Sequence, residues 1–454
     1  MPSAVDMTKF KEKVESLFLW GHQLEGVDGV PGVTSKPTQF SAGKANLSFK
    51  SWKRNAVNTS LQAGVQYGPS LSDHGGLGFL HYEEGSLYRV TKRGEALAEA
   101  LDERLRRRES YTFLTDLELM HASEAQAKDL FPAWRVDDAS EPERKIFREG
   151  FFDETATGAD NLARRSTMIE LVREVLGKSR KALSVPEIRR CMAYGRQITG
   201  KQLDPRKAQE AVSRKWALLQ IRQAQRLALE SLLGWLEHRM LKHGDRDARK
   251  LADVALKNLR KNETSHFRHE TPADALSDWL GRFKTFEVYV DAVFKDEQRF
   301  CVFSICDELG QLIRNEPEEI CEPAFKLLLL CRRFVDWFAN DPDLQEELLL
   351  GGAARISLEY WASTWDKNRN YPLTELVALV LNHLVLSQHF AVATNRFDGG
   401  TQRLRIAIEE EGLEALVGKP WRPYIAADRL GTLLSLMADC GLIKWNADND
   451  RYFV

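Results

Sequence analysis

Apolar side chains recur every three to four residues along most of this chain, which is the spacing of amphipathic α-helices. In the most regular stretch, residues 206–242, the apolar period is close to 3.6 residues rather than a strict heptad. We therefore predict one long core helix there, ended by Gly244. Shorter helices are predicted over residues 8–20, 161–176, 184–192, 246–261, 272–281, 284–297, 301–314, 322–339, 342–349 and 372–393.

The helical spacing is interrupted near the N-terminus by two short runs typical of strands. Residues 79–81 and 86–90 are predicted to form a β-hairpin whose turn lies at 83–85. Thr91 is a good helix N-cap, because its hydroxyl can accept a hydrogen bond from an orphan backbone N–H. A helix is therefore predicted over 94–105.

This hairpin and the helix after it resemble the wing of winged-helix regulators. In those proteins a Tyr-x-Val/Leu-Thr-x-x-Gly run closes the wing and opens the last helix. The matching residues here are Tyr88, Val90, Thr91 and Gly94. The alternative interpretation is a generic β-hairpin followed by a helix.

The end of the chain shows a similar order of elements. A strand is predicted over 402–408, a short helix over 413–417, an amphipathic helix over 428–440, and strands over 442–445 and 451–454. Gly441 is a natural residue to end the amphipathic helix, because glycine adopts left-handed geometry at little cost. A helix followed by two strands around a polar turn again resembles a recognition helix with its wing.

These patterns predict a mainly α protein. We expect a helical central domain with winged-helix-like (α+β) modules near the N-terminus and at the C-terminus. The predicted boundaries are 1–110 for the N-terminal module, 111–370 for the helical central domain and 371–454 for the C-terminal module.

Composition indicates where the protein is located but does not indicate a function. The 454 residues carry a formal net charge of −2, so nothing global demands nucleic acid or an anionic membrane. The 6 cysteines include no Cys-x-x-Cys pair, which indicates free thiols in a reducing compartment. The start lacks the apolar core of a signal peptide, and the longest apolar run, 376–381, is too short to span a bilayer. We therefore predict a cytoplasmic protein with no membrane partner.

The sequence offers no catalytic motif, and we predict no catalytic residues, no metal and no cofactor. His266 with His269 and His383 with His389 lie close in sequence, but a partner pair with the spacing of a zinc site is missing. The phosphate-binding Gly-x-x-x-x-Gly-Lys-Ser/Thr loop and the Gly-x-Ser-x-Gly nucleophile elbow are both absent.

A nuclease remains the alternative from a different functional class. Arg260 and His266 form an Arg-x₅-His run that faintly resembles helical ribonucleases. Asp291 with Glu287 or Lys295 could contribute to a magnesium site, since acid nucleases pair carboxylates with a lysine. Their spacing of four residues on a predicted helix is equally typical of a surface ion pair.

Clustered cations support DNA binding near the N-terminus. Lys50, Lys53 and Arg54 lie at the start of a helix predicted over 51–67, the candidate recognition helix. Lys92 and Arg93 follow the hairpin, and Arg106 and Arg107 follow the next helix. Lysine and arginine contacts to phosphates supply most non-specific affinity for DNA. The alternative is that the arginines complement the helix dipole and are neutralised by neighbouring acidic residues.

Several longer stretches resemble poorly characterised bacterial proteins encoded beside helicase, nuclease or ATPase genes in anti-phage defence clusters. They include Gly75-Gly76-Leu77-Gly78, Arg222-Gln223-Ala224-Gln225-Arg226 and Leu430-Gly431-Thr432-Leu433-Leu434. The resemblance implies a non-enzymatic DNA-binding or bridging subunit of a multi-protein anti-phage or anti-plasmid defence complex. Its expected partners are double-stranded DNA and other subunits, such as a helicase, an ATPase or a nuclease.

A second resemblance concerns architecture alone. Kleisin-type subunits of chromosome-organising ATPases place a winged helix near each end with helices between, which is the order predicted here. A kleisin-like subunit and a nuclease subunit of a defence system are therefore the alternatives to the scaffold interpretation.

Overall fold

The computed structural model describes residues 4–27, 30, 36–53, 71–73, 76–83, 87–152, 161–203, 207–295, 297–351, 355–397 and 403–454. Helix accounts for 63% of the structure, against roughly 30–35% in an average globular protein. Small antiparallel hairpins lie near the N-terminus and near the C-terminus. The predicted fold class, mainly helical with a little β-structure towards each end, is confirmed.

The chain folds as two compact units. The first contains residues 1–169, 432–445 and 454, and the second contains residues 170–431 and 446–453. The last helix and hairpin of the chain thus contribute residues to both units. The three domain boundaries inferred from the sequence stay a prediction.

Short strands and helices alternate in the first unit. Its elements are α1 (Ala4–Leu24), β1 (Lys36–Pro37), β2 (Phe40–Ser41), β3 (Lys44–Asn46), β4 (Trp52–Lys53), β5 (Leu80–Glu83), β6 (Leu87–Val90), α2 (Lys92–Leu105), α3 (Tyr111–Thr115), β7 (His121–Ala122), α4 (Glu124–Trp134), α5 (Glu141–Phe151) and the first half of α6 (Asn161–Gly177). Strands β2, β3 and β7 form one antiparallel sheet, whereas β1 pairs with β4 and β5 pairs with β6. Helices α1 and α4 pack together over a core that includes Leu17, Trp20 and Leu130.

The second unit is built around one long helix. Its elements are the rest of α6, α7 (Val185–Tyr194), α8 (Lys207–His243), α9 (Ala248–Leu259), α10 (Pro272–Leu280), α11 (Phe286–Phe294), α12 (Val302–Asn315), α13 (Cys321–Phe338), α14 (Gln345–Leu349), α15 (Leu358–Asn368), α16 (Leu373–Asn395), β8 (Ile406–Glu409) and β9 (Gly412–Ala415). The helix predicted over 206–242 is confirmed as α8, which packs on α13 and α7. Its apolar side chains Ile221, Leu232 and Trp235 are fully buried.

Local capping signals fix many of the helix ends. Ser184 and Glu187 form a capping box at the start of α7, in which the glutamate carboxylate accepts the Ser184 backbone N–H at 2.8 Å. The last helix is α17 (Leu430–Asp439), and Gly441 follows it in left-handed geometry as predicted. Strands β10 (Lys444–Asn446) and β11 (Arg451–Phe453) end the chain as a two-stranded sheet.

Helix α16 is long and apolar enough, by length and composition alone, to cross a membrane. The most apolar 18 residues of this helix have a mean hydropathy of 1.7. Its side chains Val377, Val380, Leu381 and Leu384 lie in the core of the second unit, so this apolar face already has protein partners. Residues Val380–Ser387 within it are wound as a π-helix. The cytoplasmic location stays a prediction.

The predicted helix over 51–67 is wrong at its start. Phe49–Ser51 form a 3₁₀ turn and Trp52 begins strand β4. The buried Ser51 hydroxyl donates a hydrogen bond to the Gln39 side-chain oxygen at 2.8 Å, and its carbonyl accepts the Thr38 N–H at 2.7 Å. Pairing with a distant segment therefore overrides the local helical spacing. Residues 54–70 lie outside the described residues.

Two further differences occur in the second unit. Residues predicted as a helix over 413–417 instead form strand β9, which pairs with β8 in the register Ile406 to Ala415. A five-residue apolar stretch is too short to distinguish helix from strand by spacing. Helix α15 was not predicted, although Ser357 caps it by accepting the Tyr360 N–H at 3.0 Å.

Candidate nucleic-acid interface

The junction between the β5–β6 hairpin and helix α2 is held by a tight set of backbone contacts. Thr91 caps α2, since its hydroxyl oxygen accepts the Gly94 N–H, and the same hydroxyl donates to the Gly78 carbonyl at 2.7 Å. A Cβ atom on Gly94 would lie 2.3 Å from the Phe79 carbonyl oxygen. The predicted N-cap is thus confirmed, and Gly94 is required by a close approach of two backbone segments.

The two cations predicted at this junction have different environments. Lys92 is the first residue of α2 and its side chain is exposed. Arg93 is half-buried and donates a hydrogen bond from Nη1 to the Leu77 carbonyl at 3.1 Å. Lys92 is therefore accessible to a phosphate group, whereas Arg93 holds the segment before the hairpin in place.

The other predicted cations lie on separate elements. Lys50 is exposed in the 3₁₀ turn Phe49–Ser51, and Lys53 belongs to strand β4. Arg54 lies outside the described residues. The structure therefore places Lys50 and Lys53 on a turn and a strand, not at the start of a recognition helix.

Arg106 and Arg107 follow the far end of α2. Since α2 has 14 residues, its two ends are about 20 Å apart at a rise of 1.5 Å per residue, so the pair does not form one patch with Lys92. A hydrogen bond with Tyr111 and the neighbouring Asp102 carboxylate raise the pKa of Arg106, and Arg106 Nη2 lies 2.7 Å from that carboxylate. Arg107 is exposed.

A histidine cluster that the sequence did not indicate lies at the end of α8. His238, His243 and Glu318 place three potential metal-binding atoms within 4.8 Å of one another. The Lys242 ammonium lies 2.6 Å from the same Glu318 carboxylate. Hydrogen bonds from Lys242 and His243 lower the pKa of Glu318 to about 2. The Lys242 ammonium already provides the positive charge that a metal ion would bring to Glu318. We therefore interpret these residues as a clamp, formed by Lys242, His243 and Glu318, between α8 and the turn Pro317–Glu319.

Two of the histidines singled out in the sequence, His266 and His389, have defined hydrogen-bond partners. His266 pairs with Asp278 at 2.5 Å, and the His266 ring lowers the pKa of that carboxyl group. Arg260 donates to the carbonyls of Phe267 and His269, so its guanidinium has a structural role in holding this turn. On α16, His389 Nε2 accepts the backbone N–H of Arg405 at 3.1 Å.

Of the carboxylates considered for a magnesium site, Asp291 has an ion-pair partner. Asp291 pairs with Arg196 at 2.8 Å, an arginine from outside its own helix. Glu287 lies on the same helix α11 and is exposed. The ion pair of Asp291 with Arg196 supplies a structural role for that carboxylate, so the arrangement adds no support to nuclease chemistry.

A positively charged cleft of about 260 Å³ lies between α10, α13 and α15 in the second unit. Four cationic and two anionic side chains line it, namely Lys284, Arg332, Arg333, Arg369, Asp336 and Asp366. Arg332 bridges both aspartates at 2.6 and 2.8 Å. The cleft is smaller than the roughly 300–1,000 Å³ of most ligand pockets, which suits a small group. Its residues come from distant segments, so no local sequence pattern announces it.

Comparison with protein-family models, with curated proteins and with solved structures gives no match for this chain.

Proposed function

We propose that this chain is a non-enzymatic subunit that binds double-stranded DNA and bridges it to other proteins. The observation that carries the proposal is the exposed Lys92 at the start of α2, directly behind a hairpin whose base is fixed by Thr91, Arg93 and Gly94.

This junction combines two features that suit a phosphate group. A helix N-terminus carries partial positive charge, and Lys92 adds a full charge at the same end of α2. The anchored backbone fixes the position of the helix start, which lowers the entropic cost of binding. Phosphate contacts of this kind position a protein on a duplex without reading its sequence.

The bridging part of the proposal rests on the two units and on the resemblance. The second unit has its own core and its own charged cleft, which supports contact with a further component. The resemblance to proteins of anti-phage defence clusters supports a cytoplasmic anti-phage or anti-plasmid complex, with a helicase, an ATPase or a nuclease as partner. No cofactor is part of the proposal.

DNA binding is tested by fluorescence anisotropy with a short labelled duplex over a salt series. We expect affinity to fall steeply with salt, and Lys92→Glu to weaken binding to two unrelated sequences equally. Loss of one phosphate contact lowers the slope of log affinity against log salt by about one. Arg93 is left intact, because its bond to the Leu77 carbonyl would confound the result.

Lys128→Glu serves as the matched control. Lys128 is an exposed lysine on α4, so the substitution makes the same charge change on a different helix. Equal losses in the two variants, or no duplex binding by the unmodified protein at low salt, would overturn the proposal.

A further inference from the structure

An exposed segment of the second unit, which we call the aromatic strap (residues 416–429), joins β9 to α17 without regular secondary structure. Three of its apolar side chains face solvent: Trp421 is 36% exposed, Ile425 41% and Tyr424 72%. Large apolar groups side by side at the surface of a protein are typical of a binding site.

The first half of the strap is fastened to helix α8. The fully buried Glu237 carboxylate accepts the Trp421 backbone N–H and two hydrogen bonds from Arg405, at 2.7 and 2.9 Å. Arg405 also lies over the Trp421 ring, 5.3 Å from its centroid, and donates to the Lys419 carbonyl at 3.1 Å. A charged group buried with all its partners in place holds this backbone in one conformation.

A glycine on α8 allows the strap to lie this close. A Cβ atom on Gly234 would be 2.3 Å from the Trp421 carbonyl oxygen. The Trp421 ring is restrained as well, since its Nε1 lies 3.5 Å from the Glu230 carboxylate.

The second half of the strap is fastened near its end. Asp428 accepts hydrogen bonds from Arg189 and from the Gln220 side chain, the latter at 3.0 Å. Pro423 is buried between these two attachment points. The structure thus fixes both ends of the strap and leaves the aromatic side chains between them exposed.

Charge indicates what the exposed surface binds. Lys419, Arg422 and Arg429 are exposed and alternate with the aromatic residues. The only carboxylate within 416–429 is Asp428, and Arg189 already neutralises it. Cations interleaved with aromatic rings are the surface that single-stranded nucleic acids use, with phosphates on the cations and bases stacked on the rings.

We propose that the aromatic strap binds single-stranded nucleic acid. Bases stack on Trp421 and Tyr424, and Lys419 and Arg422 meet the phosphates between them. The inference does not depend on duplex binding at Lys92, because it uses a different unit and a different ligand.

The test uses the full chain and two labelled strands of about 12 nucleotides, a length within the range bound by such surfaces. One strand is oligothymidine and the other is an abasic sugar-phosphate strand. The double variant Trp421→Ala, Tyr424→Ala should raise the Kd for oligothymidine by at least about thirtyfold, since each lost stack costs about 1–3 kcal/mol. Its Kd for the abasic strand should not change, and its affinity for a duplex should be retained.

Tyr360→Ala is the control, because Tyr360 is 53% exposed on α15, away from the strap in sequence. Tyr424→Ala alone guards against misfolding, since this side chain is largely exposed. Equal oligothymidine affinity in the strap variants and the unmodified protein would overturn the proposal, as would an abasic strand that binds as tightly as oligothymidine. Absence of strand binding at low salt would also overturn it and would assign the aromatic side chains to a protein partner.

Discussion

Gly94 and Gly234 each allow two backbone segments that are distant in sequence to approach closely. Gly94 admits the Phe79 carbonyl beside helix α2, and Gly234 admits the Trp421 carbonyl beside α8. In each case a side chain of any size would collide with backbone, which cannot move aside as a flexible side chain can. These positions connect the proposed binding surfaces to the helices that carry them.

The consequence at Gly94 can be measured directly. We expect Gly94→Ala to destabilise the first unit by about 1–3 kcal/mol, because the new Cβ forces the hairpin and α2 apart. Thermal unfolding of the full chain measures the effect.

Gly310→Ala is the matched control for this substitution. Gly310 lies within helix α12, and a Cβ atom there would have no neighbour within 4 Å. Its replacement should stabilise the protein by about 0.5–1 kcal/mol through helix propensity. A Gly94→Ala variant as stable as Gly310→Ala would show that the close approach is not required.

Residues whose role is set by their immediate neighbours are predictable from the sequence. Thr91 was identified as an N-cap and Gly441 as a helix end, since both roles are set by neighbouring backbone groups. The role of Glu237 was missed because its partner Arg405 is distant in sequence. The role of Arg93 was misread because its partner is a backbone carbonyl. No local pattern encodes a buried ion pair or a carbonyl contact.

At the scale of elements, several helices were predicted closely, although the 11-residue α15 was not predicted. Helices α6, α7, α8 and α13 were predicted to within about two residues, because their apolar faces repeat over several turns. Strand β9 was mistaken for a helix, and β4 for the start of one, because each is short and owes its conformation to a pairing partner. Long-range pairing is not visible in local spacing.

The clamp at the end of α8 makes the free energy of unfolding depend on pH in the acidic range. Hydrogen bonds from Lys242 and His243, with His238 beside them, lower the pKa of Glu318 from 4.5 to about 2. A carboxyl group with a lowered folded-state pKa stabilises the protein fully above its unfolded-state pKa. We expect this contribution to vanish as pH falls from about 4.5 to about 2.

The variant Glu318→Gln isolates this contribution. Urea unfolding at several pH values should show a smaller loss of stability between pH 4.5 and pH 2 in Glu318→Gln than in the unmodified protein. Glu359→Gln, at an exposed glutamate on α15, should leave the pH profile unchanged. Identical profiles for Glu318→Gln and the unmodified protein would show that the clamp does not act in this way.

At the scale of the whole molecule, a net charge of −2 conceals local concentrations of positive charge. The cleft beside Trp365 and the aromatic strap each gather cations from this nearly neutral chain. Composition therefore could not predict either surface, whereas the mainly helical class followed from periodicity alone. Both proposals together describe a scaffold that holds duplex on one unit and single strand on the other.

Hydrogen exchange of the full chain, alone and saturated with a short duplex, tests the central claim most directly. The account predicts slower exchange in peptides covering the hairpin and the start of α2, residues 80–95, with no change at the clamp formed by Lys242 and Glu318. Unchanged exchange over 80–95 in a complex shown by anisotropy to be saturated would contradict duplex binding at this junction.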